Sequence, residues 1–173
     1  FKDIDKIIKK LIPPIGRMDK IMYNDNIIIV DYAHTPDAVE KVLKNIRYLT
    51  NGNIYTVIGC GGNRDKLKRP IMGAISTNNS NYVIFTSDNP RDEEIMDIID
   101  DMVKDINKDN YIIIPDRKEA IKKGMQLLKK NDILVVLGKG HENYQIIKGE
   151  KKYFDDKQII LELDKNAFFI IND

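Results

Sequence analysis

The chain has 173 residues, 42% apolar and 32% charged, a composition that points to a soluble globular domain with a real hydrophobic core. Lys and Arg number 28 against 27 Asp and Glu, a net charge of +1, so no bulk attraction to nucleic acid or to an acidic membrane is expected. Cys60 is the single cysteine, which excludes an internal disulfide framework and fits a reducing, cytoplasmic compartment. No apolar run approaches the roughly 20 residues that span a bilayer, so no membrane insertion is expected.

In chain order, residues 1–15 read as a short amphipathic helix or linker ending in Pro13-Pro14-Ile15, with the domain proper over 16–173. The start at Phe1, with neither an initiator Met nor a signal peptide, suggests a piece of a longer protein. Ile27 to Val30 is the first clear apolar run. A helical period follows over 35–49, with Ala38, Val39, Val42, Leu43 and Ile46 on one face. Thr35 suits the N-cap, Pro36 the first helical position and Asp37 the positive end of the dipole. Ile54 to Ile58 is a second strand, and a helix over about 66–77 follows it. Tyr82 to Thr86 is a third strand, and a helix over 93–105 turns Ile95, Ile98, Ile99, Met102 and Val103 inward. Tyr111 to Ile114 is a fourth strand. Asp116 with Glu119 opens a helix to Lys129 in the manner of a capping box. Ile133 to Leu137 is nearly all apolar, as a strand buried on both faces should be. Tyr144 to Ile147 and Lys151 to Phe154 flank Lys148-Gly149-Glu150 as a hairpin, and residues 155–163 form a last helix. The fold class is α/β: a Rossmann-like, mostly parallel sheet flanked by helices, with a C-terminal hairpin.

The polar loops follow the strands in a regular way. Asp31-Tyr32-Ala33-His34 follows the first strand and Gly59 to Asp65 the second. Ser87-Asp88-Asn89-Pro90-Arg91 follows the third, and Gly138-Lys139-Gly140-His141-Glu142 the fifth. In an open parallel sheet these loops share one edge, where ligands bind, so a composite site is expected there. Each loop also has a plainer reading. Gly59 to Gly62 could be only a tight turn, or a bare backbone beside Arg64 that admits a ligand. Asp88-Asn89-Pro90 could be only a helix-opening turn. Alternatively, it stiffens a loop that presents Arg91 to a carboxylate and Asp88 and Asn89 to an ammonium. Gly138-Lys139-Gly140 lacks the order of a P-loop and is rejected as an ATP cradle. Cys60 reads as a small buried filler, and no metal-ligand spacing stands out.

Six segments, in order, resemble the C-terminal domain of the Mur ligases, and specifically the branch that forms the muramoyl tripeptide. They are Gly16-Arg17-Met18, Asp31 to Asp37, Gly59 to Asp65, Lys68 to Gly73, Asp88 to Arg91 and Gly138 to Glu142, and the likeness covers about residues 12–160. The resemblance implies an ATP-dependent ligase. It would add meso-2,6-diaminopimelate, or an analogue such as lanthionine, to UDP-N-acetylmuramoyl-L-alanyl-D-glutamate through an acyl phosphate. It also implies N-terminal and central domains of the same enzyme, the central one carrying the P-loop and most Mg2+ ligands. A monomer with small-molecule substrates is expected, and the isolated domain is expected to be inactive.

Carried over residue by residue, Arg17, Asp31 and His34 resemble nucleotide-side residues. Arg64, Asp88, Asn89, Pro90, Arg91, Gly138 and Glu142 resemble the diamino-acid-binding set. No catalytic residue is expected within this domain alone. A folyl- or cyanophycin-type ligase would share the architecture without the Asp-Asn-Pro-Arg loop. A free-standing binding module is the rival outside the ligases. A dinucleotide-dependent oxidoreductase is disfavoured by the lack of G-x-G-x-x-G after the first strand.

Overall fold

A computed structural model describes residues 18–165 and 167–169 of the chain, with only the backbone at Phe169. Arg17 and the expected helix or linker over 1–15 lie outside the described residues. The described chain begins with a hairpin of β1 (Asp19–Tyr23) and β2 (Asn26–Asp31), paired Tyr23 to Asn26 across a two-residue turn in which Asn24 takes φ +53°. The elements that follow are α1 (Pro36–Leu49), β3 (Ile54–Ile58), α2 (Lys68–Asn79), β4 (Tyr82–Phe85), α3 (Ile95–Val103) and β5 (Tyr111–Ile113). Then come α4 (Arg117–Leu127), β6 (Ile133–Leu137), β7 (Tyr144–Ile147), β8 (Glu150–Tyr153), α5 (Asp156–Leu163) and β9 (Phe168–Phe169).

Seven strands form one sheet in the order β5-β4-β3-β6-β2-β1-β9. The run from β5 to β2 is parallel, and β1 and β9 are antiparallel additions at one edge. The expected Rossmann-like sheet is therefore present, with two strands that the sequence reading did not include. β6 lies at the centre and is buried along its whole length. Its alternate residues divide between two cores, as the strand period of two requires. Ile133, Val135 and Leu137 face the side covered by α1, α2 and α3, through residues such as Leu43, Met72 and Ile99. Leu134 and Val136 face the side covered by α4 and α5, through Ile121, Met125 and Ile160. Helices on both faces account for the uninterrupted apolar runs of the parallel strands.

The helix starts obey local chemistry. Thr35 Oγ1 accepts from the Ala38 N–H, Asp116 Oδ1 from the Glu119 N–H, and Asp155 Oδ1 from the N–H groups of Lys157 and Gln158. The second helix starts at Lys68, not Lys66, because Asp65 Oδ1 first accepts the Leu67 N–H in a local turn. The β7–β8 hairpin turns on Lys148-Gly149, both at positive φ (+48° and +78°). That is a two-residue primed turn, tighter than the three-residue connection expected.

Candidate functional site

β6 sits between β2 and β3, with β4 beyond β3, so the loops after these four strands converge on one edge of the sheet. They enclose a crevice of about 500 Å³. Its walls include His34, Arg64, Asp88, Asn89, Arg91, Gly138 and Glu142, all expected from the sequence, together with Tyr32, Lys68, Arg69 and Met72, which were not. Two expected residues do not line it. Pro90 is buried behind the wall, and Asp31 lies beneath its loop, where Oδ1 accepts the Ala33 N–H at 2.8 Å.

The loops after β3 and β4 are tied backbone to backbone. The Gly62 N–H donates to Asn89 O at 2.8 Å, and Arg91 Nη1 donates to Gly62 O at 2.8 Å. A Cβ at Gly62 would stand 1.8 Å from Pro90 O, so only glycine permits this approach. Behind them, Arg69 is 1% exposed and binds Glu93 with both Nη atoms, at 3.0 and 2.8 Å, and Asp101 at 2.9 Å. Burial alone would lower the Arg69 pKa, but hydrogen bonds and attraction from Glu93 and Asp101 raise it. In return the Arg69 hydrogen bond, aided by the Asn63 N–H, holds the Glu93 carboxyl down at about 2.

Arg91 has φ +53°, a left-handed conformation that a non-glycine residue adopts at a cost of about 1 kcal/mol or more. The β7–β8 hairpin maintains it. The Arg91 N–H donates to Ile146 O at 2.9 Å and the Lys148 N–H to Arg91 O at 2.6 Å. Gln145 Nε2 adds bonds to Ser87 Oγ and Asp88 O, and the Ile146 N–H donates to Asn89 Oδ1. The hairpin thus fixes the whole Asp88–Arg91 loop, a role that its sequence did not announce. Arg91 Nη1 is occupied by carbonyls, while Nε and Nη2 make no hydrogen bond among the described residues. Arg64 is exposed on the crevice wall and has no hydrogen bond or ion pair among the described residues.

Glu142 accepts from Asn89 Nδ2 at 3.1 Å and from Tyr32 Oη at 3.4 Å. Beneath it, Lys139 is fully buried and donates to Asp88 Oδ1 and Asn89 Oδ1, both at 3.2 Å. Arg117, also buried, donates to Ser87 O and Leu137 O and makes a two-point ion pair with Asp156 at 2.8 and 2.7 Å. It therefore joins the ends of β4 and β6 under the site. Burial works to lower the Arg117 pKa, and attraction from Asp156 more than offsets this. Cys60 lies on the wall but is almost wholly buried, and burial, followed by Asp88, pushes its thiol up to about 12, so it is no thiolate nucleophile. Both histidines are in the crevice loops, and their rings flank Tyr32 at 4.5 and 5.1 Å. Among the described residues no group of three or more His, Cys, Asp or Glu could hold a metal ion. No helix among them is long and apolar enough to cross a membrane.

The crevice thus brings arginines with unused donors and carboxylates into one lining, an arrangement suited to a small molecule bearing both charges. Residues 16–140 match the family described as "Mur ligase, glutamate ligase domain", and the chain belongs to the Mur ligase family. It is 50% identical over 171 residues to the UDP-N-acetylmuramoyl-L-alanyl-D-glutamate--2,6-diaminopimelate ligase of Clostridium tetani, covering 97% of this chain and 35% of that protein. The ligase of the same name from Halalkalibacterium halodurans is 47% identical over 169 residues, with 97% and 35% covered. A solved structure of a ligase of that name superposes with TM-score 0.83 and 42% identity, over 91% of this chain and 33% of that one. The chain spans about a third of the length of these relatives.

Proposed function

We propose that the chain is the amino-acid-binding domain of an ATP-dependent ligase that adds meso-2,6-diaminopimelate, or a close analogue such as lanthionine, to UDP-N-acetylmuramoyl-L-alanyl-D-glutamate. The observation that carries this reading is the placing of Arg91. Its backbone is held in a strained conformation, its Nε and Nη2 make no hydrogen bond among the described residues, and Asp88 and Glu142 line the same crevice. Diaminopimelate carries an ammonium and a carboxylate at its far end, and lysine only the ammonium. A part-buried guanidinium facing lysine would lose a partner and gain a repelling neighbour, at a cost on the order of several kcal/mol. Arg64 and Arg91 would bind carboxylates while Asp88, Asn89 and Glu142 bind the ammonium.

In this reading the D-glutamate carboxylate is activated as an acyl phosphate at the expense of ATP, and the amine held by this domain attacks it. Mg2+ would supply charge stabilisation for the phosphoryl group. Its ligands are assigned mainly to the central domain of the enzyme. Arg17 and His34 are assigned to nucleotide binding, with Asp31 supporting the His34 loop. The reaction belongs in the cytoplasm, where ATP is available, and the enzyme works as a monomer. The chain alone should release no phosphate from ATP, even with both substrates present.

The test is competition among meso-diaminopimelate, lysine and lanthionine in the full-length protein. Diaminopimelate should be used well and lysine poorly. Arg91→Ala should raise the KM for diaminopimelate by about 100-fold, which corresponds to the loss of a charged hydrogen-bonding partner, and leave the KM for ATP unchanged. Equal use of lysine, or equal loss toward ATP, would refute the reading.

A further inference from the structure

Lys139 has no contact with the crevice, yet it touches three of the side chains that form its carboxylate wall. Its side chain is 0% exposed. Nζ lies 3.2 Å from Asp88 Oδ1, 3.2 Å from Asn89 Oδ1 and 3.7 Å from Glu142 Oε2. A lysine ammonium has three donors and no acceptor, and here three acceptors from two different loops converge on it. The two carboxylates belong to different loops, and among the described residues both reach this cation, while the Asn89 amide also donates to Glu142. The lysine is committed to its place because it follows directly from β6, the central strand, between Gly138 at φ +112° and Gly140 at φ +52°.

The charge count matters for what the crevice accepts. Asp88 and Glu142 contribute two negative charges and Lys139 removes one. One net negative charge faces the ligand on that wall, balanced by Arg91 beside it. We propose that Lys139 is a specificity-setting positioning residue: it fixes Asp88, Asn89 and Glu142 in one arrangement and trims the wall to a single net negative charge. This matches one ammonium next to one carboxylate. Without it, the wall would carry an extra negative charge beside the position of the ligand's far carboxylate. A diamino acid bearing that carboxylate would be repelled, and one lacking it would not. This inference rests on the ligase reading above and concerns the same crevice.

The experiment uses the full-length protein and Lys139→Met, which keeps the length of the stem and removes the charge. kcat and KM are measured for meso-diaminopimelate and for lysine, with thermal unfolding alongside. The diaminopimelate-to-lysine ratio of kcat/KM should fall by about tenfold or more, mainly through the KM for diaminopimelate. A parallel loss for both amino acids, or no change in the ratio, overturns the proposal, since a merely structural role would weaken both alike. Should Lys139→Met fail to fold, Lys139→Met with Asp88→Asn decides. Recovery of the thermal midpoint supports neutralisation of Asp88 by Lys139, and no recovery overturns it. Wild-type protein that does not prefer diaminopimelate to lysine refutes the ligase reading instead, while the thermal comparison still decides the pairing.

Discussion

Gly62→Ala is the substitution that the structure penalises most clearly. The added Cβ would lie 1.8 Å from Pro90 O and 2.7 Å from Pro90 C, both backbone atoms that cannot swing aside. Real Cβ atoms essentially never come within 3.0 Å of such a neighbour, so the two loops must part by about 1 Å or more. Parting them stretches the bond from the Gly62 N–H to Asn89 O and the bond from Arg91 Nη1 to Gly62 O, each 2.8 Å long. The loop that moves carries Asp88, Asn89 and Arg91. A displacement of that size at a binding group costs on the order of 100-fold, or ~2.7 kcal/mol. The assay is steady-state kinetics of the full-length protein with the diamino acid varied at saturating ATP, and then the reverse. The expected result is a fall of about 100-fold in kcat/KM for the amino acid, with the KM for ATP unchanged. Wild-type kinetics toward the amino acid would refute the reasoning, because it would mean that the contact between the loops does not position Arg91.

Two further predictions concern the supports of the crevice. Asp156→Asn leaves Arg117 buried without its counter-charge and should destabilise the protein by about 3–5 kcal/mol, whereas replacing both partners, Arg117→Met with Asp156→Leu, should cost less. Urea unfolding checks this, and a single variant no less stable than the double would contradict it. The Glu93 carboxyl is depressed from 4.5 to about 2, chiefly by Arg69, so it stabilises the fold fully above pH 4.5 and loses that contribution as pH falls toward 2. The stability gap between wild type and Glu93→Gln, measured by thermal unfolding, should therefore be constant above pH 4.5 and close below it. A gap independent of pH would show that Glu93 acts by shape and not by charge.

The sheet was legible where the chain alternates long apolar runs with helices of amphipathic period, because both faces of a parallel strand must be apolar. β1 was not legible: its five residues include Lys20, which reads as surface yet is 3% exposed. The Asn24-Asp25 pair between two apolar segments was the available hairpin signal. β9 spans only two residues and exists because β1 offers it an edge, which no local pattern encodes. The crevice could be placed from sequence because topology puts the loops of parallel strands on one edge. What could not be read is which loop residues face the ligand and which hold the others. Asp31 and Pro90 look like site residues and are buried behind it. Gln145 sits in a hairpin to which the sequence assigned no part in the site, yet it fastens the Asp88 loop.

The buried cations follow a logic that a sequence can partly reveal. Arg69 and Arg117 stand in the first turns of α2 and α4, where the helix dipole disfavours positive charge, and the first turn of α2 contains no acidic residue. A cation in such a place is tolerated when a stronger field acts on it. Here that field comes from carboxylates distant in sequence: Glu93 and Asp101 for Arg69, and Asp156 for Arg117. Each of these arginines also donates to the carbonyl of a residue in a crevice loop or at a strand end, Gly61 for one and Ser87 and Leu137 for the other. Lys139 does the same work from a loop, through side chains instead of carbonyls. The crevice loops are thus braced by three buried cations, while Arg64 and Arg91 on its wall keep donors without a hydrogen-bond partner among the described residues.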